Sequence, residues 1–184
     1  LIVSSNTGAG STVTQNAGEV ESYGIELSSS YDLGFKQKWS FNNPWTLAFT
    51  YTDAEFVNDS KNSDEESIYA NAKKGNDLPF ISNYQVSLGT DYIKGPLSLG
   101  VLGNWRSSQW SSGENISATA NDTRIGKIPA RWVWDLKGNY KPNNINYSFG
   151  VHNLLNKKYI TTYLPLGPRP GPPLGVHFGI SVDY

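Results

Sequence analysis

The last ten residues of the chain alternate without a break. Val176, Phe178, Ile180, Val182 and Tyr184 fall on one face of an extended segment, and His177, Gly179, Ser181 and Asp183 fall on the other. A period of two marks a strand, because successive side chains point to opposite faces; a helix repeats its apolar positions every three or four residues. The pattern recurs along the chain. Tyr23, Ile25, Leu27, Tyr31 and Leu33 oppose Gly24, Glu26, Ser28, Ser30 and Asp32, and Trp45, Leu47, Phe49 and Tyr51 oppose Thr46, Ala48, Thr50 and Thr52. Tyr84, Val86, Leu88 and Tyr92 form the next apolar face, followed by Leu97, Leu99, Val101 and Trp105, with Leu102 out of phase. Trp132, Trp134, Leu136 and Tyr140, then Tyr147, Phe149 and Val151, complete the series.

Such strands suit either a soluble sandwich or a membrane barrel, and the ends of the apolar stripes separate the two. A sandwich buries aliphatic residues with aromatics scattered among them. Here Tyr23 and Tyr31, Trp45 and Tyr51, Tyr84 and Tyr92, and Trp132 and Tyr140 bracket middles of Leu, Ile, Val and Phe. Amphipathic rings prefer headgroup depth and aliphatic side chains prefer hydrocarbon, so the order predicts two interfacial girdles around a lipid-facing band. Trp105, Trp134 and Tyr184 belong to the same predicted girdles. The opposite face, made of Ser, Thr, Gly, Asn and charged residues, suits a lumen better than a dry interior. The final run also has the length of a tilted membrane-crossing strand, about ten residues. No apolar run approaches the roughly 18–20 residues of a membrane-crossing helix.

Composition narrows the chemistry. The absence of cysteine removes a disulfide framework, a thiolate zinc site and a cysteine nucleophile. A formal net charge of −1 gives no basic field for nucleic acid. At 13% aromatic residues the chain has more to bury than a disordered one would.

The predicted connections alternate in length. Short ones at 93–96 and 141–146 carry Gly-Pro and Pro-Asn-Asn turn chemistry. Long ones occupy 57–80, 107–131 and 161–174, and 34–44 is longer than a usual inner turn. Outer-membrane barrels show this asymmetry, with the long loops outside the cell. Residues 5–17 are expected to be another outer loop and 1–3 the stub of a preceding strand. The expected fold is therefore an all-β, antiparallel up-and-down transmembrane barrel. An odd count of strands, together with a start inside an apolar triplet without an initiator Met, predicts that further strands lie upstream. The alternative is a small closed barrel of about eight strands with a structural or passive-pore role, and a soluble all-β sandwich stands third.

Several motifs resemble the β-barrel of TonB-dependent outer-membrane receptors. The stretch Asn16-Ala17-Gly18-Glu19-Val20-Glu21-Ser22-Tyr23-Gly24-Ile25-Glu26-Leu27 resembles the family's Asn-x-Gly, spacer, Gly-hydrophobic-Glu segment. Val151-His152-Asn153-Leu154-Leu155-Asn156-Lys157-Lys158-Tyr159 is similar to its Asn-Leu-Phe-Asp/Asn-Lys-x-Tyr signature. The Gly/Pro/Arg passage 167–173 resembles the one before the last strand, although Pro173 and Leu174 stand where an Arg is often found. The aromatic carboxy-terminal strand resembles the signal read by the barrel-assembly machinery.

This resemblance implies the C-terminal part of a barrel of about 22 strands closed around an N-terminal plug, in the outer membrane of a Gram-negative bacterium. Its implied partners are outer-membrane lipid, the plug and remaining strands, and the TonB energy-coupling complex reached through the plug. The implied ligand is an Fe(III) chelate, a siderophore or ferric citrate. Capture would involve no covalent chemistry, so neither an enzyme nor a resident cofactor is expected.

For an anionic chelate the candidates are polar and aromatic residues at the outer ends of strands. Arg106, Gln109 and Trp110 leave one strand, and Arg124, Lys127 and Arg131 approach the next. Guanidinium groups bind anions through charge-assisted, geometrically selective hydrogen bonds. The acidic residues Asp59, Asp64, Glu65 and Glu66 lack the spacing that gathers oxygen ligands around one ion and read as a solvated loop. His152 and His177 fall on the lumen face without evident metal partners, and no nucleophile motif accompanies the acidic and histidine residues.

Overall fold

The alternation becomes a single-layer antiparallel sheet. A computed structural model describes residues 2–6, 12–16, 18–61, 67–118, 125–163 and 167–183. In chain order the elements are β1 (Ile2–Asn6), β2 (Thr12–Asn16), β3 (Val20–Asp32), the short helix α1 (Leu33–Lys36), β4 (Pro44–Phe56), β5 (Tyr84–Lys94) and β6 (Leu97–Arg106). They continue with β7 (Gln109–Trp110), β8 (Lys127–Ile128), β9 (Arg131–Tyr140), β10 (Ile145–His152), β11 (Ile160–Thr162), β12 (Arg169–Pro170) and β13 (Gly175–Val182). Seven strands form the main sheet in the order β13-β10-β9-β6-β5-β4-β3, each antiparallel to its neighbours. This is an up-and-down meander. Its order is linear: among the described residues β3 and β13 form opposite edges and do not pair, which excludes a small barrel closed by these strands alone.

Register carries the apolar stripes across every strand pair. From Leu27 the path runs through Phe49, Val86, Trp105 and Trp132 by direct pairing. Tyr140 pairs with Tyr147 and Phe149 with Phe178 on the far side. A one-residue slip anywhere would turn a whole strand inside out, so the common register is itself evidence for one coherent apolar face. Nothing described packs on that face: Ile25 and Leu27 are exposed at 59% and 62%. A sandwich would have covered the stripe with a second layer.

The aromatic residues gather at both ends of the stripe. Near the short turns Tyr31 pairs with Trp45, Tyr140 pairs with Tyr147, and Tyr92 packs against Phe41. Toward the loops Tyr51 meets Tyr84, and Trp105, Trp132 and Trp134 form a row of contacting rings. Tyr23 donates its phenolic hydrogen to Asp53 Oδ2 at 2.6 Å. Trp134 sits one step further in and covers Gly103, where any side chain would collide with the indole. Tyr184 lies outside the described residues. Leu102, out of phase in the sequence, faces the polar side between Gly89 and Asp135.

Four sequence expectations need correction. Leu33 does not extend the β3 stripe but starts α1, because the Asp32 carboxylate caps the turn by accepting the N–H groups of Phe35 and Asn43. Residues 5–17 are not simply a loop, because β1 and β2 pair from Ile2–Asn16 to Asn6–Thr12 as a separate hairpin. The loops after β6 and β10 contain the small hairpins β7–β8 and β11–β12. The last long connection begins at 153 rather than 161. Gly95, at φ 54°, makes the tight β5–β6 turn in a conformation that favours glycine.

Burial is concentrated beyond the sheet's loop end. Phe56 and Ile128 are fully enclosed, and Ala54, Ala70, Ala72 and Tyr163 are buried with them. Residues 67–83 and 107–118 bond directly, through Phe80 N–H to Trp110 C=O (2.7 Å) and Gly113 N–H to Ile68 C=O (2.7 Å). The loops thus form a packed platform at one end of the single-layer wall.

Candidate functional site

Alternation along β6 and β9 places Arg106 and Arg131 on the polar face, and the register sets them directly opposite each other at the loop end. Like charges directly opposed on adjacent strands destabilise a sheet unless something compensates them. The Arg131 guanidinium carbon lies 5.5 Å from the centre of the Tyr159 ring, a distance suited to cation–π attraction. Its Nη1 is buried without a hydrogen-bond partner among the described residues. Among those residues neither arginine has a carboxylate at ion-pair distance. Two adjacent guanidinium groups, one held against an aromatic ring, are equipped to receive an anion.

The other candidates separate into two groups. Trp110 and Lys127 pair across β7–β8, and the lysine ammonium sits 4.7 Å from the Trp110 ring centre. Gln109 turns inward instead: it is buried, and its Oε1 accepts a hydrogen bond from the Ser82 hydroxyl at 2.7 Å. Arg124 lies outside the described residues.

The polar face below is lined by short-range pairs. Lys137 Nζ reaches Asp91 Oδ1 at 3.2 Å across Gly100, where an added side chain would have to displace this pair. His152 Nδ1 lies 2.8 Å from Asp135 Oδ1. The His177 imidazole covers Gly150. Of the acidic loop residues, Asp64, Glu65 and Glu66 lie outside the described residues. Asp59 accepts the Lys74 N–H (3.0 Å) and the Lys73 ammonium (3.1 Å), and these contacts hold its carboxyl below the usual 3.8. Among the described residues no group of three acidic or histidine side chains is placed to hold a metal ion.

Two structural features escaped sequence reading. Tyr159 was visible only as part of a motif; its contact with Arg131 joins distant segments that share no local pattern. Asn153 is fully buried and ties the last loop together: its Nδ2 donates to the carbonyls of Lys157 (3.0 Å) and Pro172 (2.9 Å), and its Oδ1 accepts the Lys157 N–H (2.8 Å). Asn156 Oδ1 accepts the Leu174 N–H at 3.2 Å. Both asparagines adopt positive φ, 50° and 47°, which asparagine tolerates better than most residues. The Asn-Leu-Leu-Asn stretch is therefore a clamp that returns the chain toward β13.

Comparison with known proteins fits this architecture. A family model described as "TonB dependent receptor-like, beta-barrel" matches residues 1–154. The chain is similar to the ferric citrate transporter FecA in its unliganded form, at a TM-score of 0.68 and 22% identity over 95% of this chain and 25% of that one. It is also similar to the siderophore receptor PiuA from Acinetobacter baumannii, at TM-score 0.67 and 20% identity, covering 100% of this chain and 24% of that one. The copper transporter OprC matches at TM-score 0.66 and 22% identity, over 100% of this chain and 26% of that one. At these identities the likeness is one of fold, and the chain spans about a quarter of each of these structures. No curated protein matches the chain.

Proposed function

We propose, for a chain that belongs to the TonB-dependent receptor β-barrel family, that it forms C-terminal wall strands and outer loops of an energy-coupled receptor for an anionic iron chelate. The family is one of Gram-negative outer-membrane proteins. In hydrocarbon an unpaired sheet edge leaves backbone groups unsatisfied, so the open edges of β3 and β13 call for partner strands from the rest of a larger barrel. Barrels of about 22 strands enclose a plugged lumen. The polar face with its Lys137–Asp91 and His152–Asp135 pairs would then face an N-terminal plug, and the TonB complex would act through that plug. Barrel-assembly machinery would read the last strand.

The observation that carries the ligand reading is the opposed Arg106 and Arg131, with a buried Arg131 Nη1 that lacks a partner among the described residues. An anionic chelate would relieve the like-charge contact and complete the arginine hydrogen bonding. Trp110 and Lys127 offer a second, outer contact for its edge. The work of these residues is binding and orientation, and no bond in the cargo needs to break. Guanidinium and aromatic groups suit a charged organic chelate, whereas a copper ion favours imidazole or sulfur ligands.

The test uses the full-length receptor and ferric citrate, with a panel of anionic ferric siderophores alongside. Arg106→Ala and Arg131→Ala should each weaken affinity for the preferred chelate about 10- to 100-fold, and the double variant should weaken it further, since a charge-assisted hydrogen bond contributes about 1.5–3 kcal/mol. Unchanged affinity and uptake in the double variant, with the barrel intact, removes the pair from the site.

A further inference from the structure

The turn between β3 and β4 is longer than the other inner connections, and its structure gives it a use. Asp32 fixes its start, and the Asn43 amide fixes its end by donating to Thr90 Oγ1 (3.0 Å) and the Asp91 carbonyl (2.9 Å). Asn42 and Ile93 form an isolated backbone bridge to the neighbouring strand. The turn is thus a rigid projection at the short-turn end, which in outer-membrane barrels faces the periplasm.

This projection extends the lipid-facing stripe outward. Tyr92, the last aromatic residue of β5 on that face, lies 4.8 Å from Phe41, whose ring lies 5.0 Å from Trp39. Phe35 is 82% exposed and Trp39 47% exposed, a poor arrangement in water but a natural one at headgroup depth. Lys94 follows Tyr92 on the same strand face, and Lys36 and Lys38 occupy the projection itself. Among the described residues no carboxylate lies within ion-pair distance of these lysines. Lys141, on the β9–β10 turn, differs in pairing with Asp183.

We propose that the 33–43 turn is a membrane foot that binds the headgroup of an anionic phospholipid in the periplasmic leaflet. The aromatic residues enter the interface, and Lys36, Lys38 and Lys94 contact the phosphate from its water side. Aromatic anchoring sets the depth, and the uncompensated ammonium groups supply the preference for negative charge. The inference rests on the barrel reading above but not on the chelate reading.

The full-length receptor would be placed in bilayers of equal phosphatidylethanolamine and phosphatidylglycerol, and its retained lipids would be measured by native mass spectrometry. Wild-type protein should retain phosphatidylglycerol with a preference of about fivefold to a hundredfold, the range from one to three lysines at about 1 kcal/mol each. The triple variant Lys36→Gln/Lys38→Gln/Lys94→Gln should lose most of it, whereas Lys157→Gln/Lys158→Gln on the loop side should not. Raising ionic strength should erode the wild-type preference. Equal retention of both lipids by wild type, or a preference that survives the triple variant or high salt, overturns the proposal. Heat-modifiable mobility read in parallel reports the barrel itself: folded receptor without lipid preference defeats only the foot, whereas receptor that never folds into bilayers defeats the barrel reading as well. An acidic periplasmic protein that binds the foot in place of lipid also overturns it.

Discussion

Phe49→Arg in the full-length receptor should destabilise the barrel by about 2–4 kcal/mol, the cost of an arginine facing lipid near the bilayer midplane, whereas Thr50→Arg should cost under about 1 kcal/mol. The residues are adjacent near the middle of β4 and therefore lie at nearly the same depth. Phe49 belongs to the stripe, between Leu27 and Val86, with its ring 6.4 Å from Tyr84. Thr50 points the opposite way, between Glu26 and Gln85, where an arginine gains a carboxylate neighbour and water. Reversible denaturant unfolding from lipid vesicles compares them. Equal losses would mean that the two faces do not meet different solvents.

Asn153→Ala should open the last outer loop at a local cost of about 3–5 kcal/mol. The substitution removes three hydrogen bonds made by a fully buried side chain. The Lys157 N–H and the carbonyls of Lys157 and Pro172 lose their partner, and each hydrogen bond contributes about 0.5–1.5 kcal/mol. Alanine must also adopt a φ of 50°, which adds about 1 kcal/mol of backbone strain. Hydrogen exchange in the full-length receptor should show lost protection of the Lys157 amide, and 153–174 should become sensitive to protease. Asn153→Gly separates the contributions: it relieves the backbone strain but not the lost bonds, and so recovers only a minor part of the loss. Wild-type protection in Asn153→Ala would show that the clamp does not hold the loop.

Both effects reflect what alternation could and could not convey. Every strand of the main sheet was legible because each separates hydrocarbon from a polar lumen, and that contrast writes a period of two into its residues. The short segments Ile2–Asn6 and Thr12–Asn16 do not alternate in this way, so their pairing left no comparable signal. The pairs Gln109–Trp110 with Lys127–Ile128, and Ile160–Thr162 with Arg169–Pro170, are too short to show any period. Leu33 looked like a continuing stripe because alternation cannot register a cap; the Asp32 carboxylate ends the strand there.

The candidate site was legible to a similar depth. Arg106 and Arg131 stood out as strand-end cations, and register brought them together. Gln109 carried the same polar signal, yet its amide turned inward to Ser82, a contact across separate loops. Tyr159 reached Arg131 by the fold of the last loop, which depends on Asn153 and its partners rather than on any pattern near Arg131.

The central claim, that one face of this sheet meets lipid and the other a lumen, is tested most directly by single spin labels at each position from 84 to 92, in an otherwise cysteine-free full-length receptor in bilayers. Accessibility to oxygen, which partitions into hydrocarbon, should oscillate with a period of two and peak at positions 86, 88 and 90, with a water-soluble reagent in opposite phase at 85, 87, 89 and 91. Oxygen maxima at the odd positions, or no oscillation in either reagent, would contradict it.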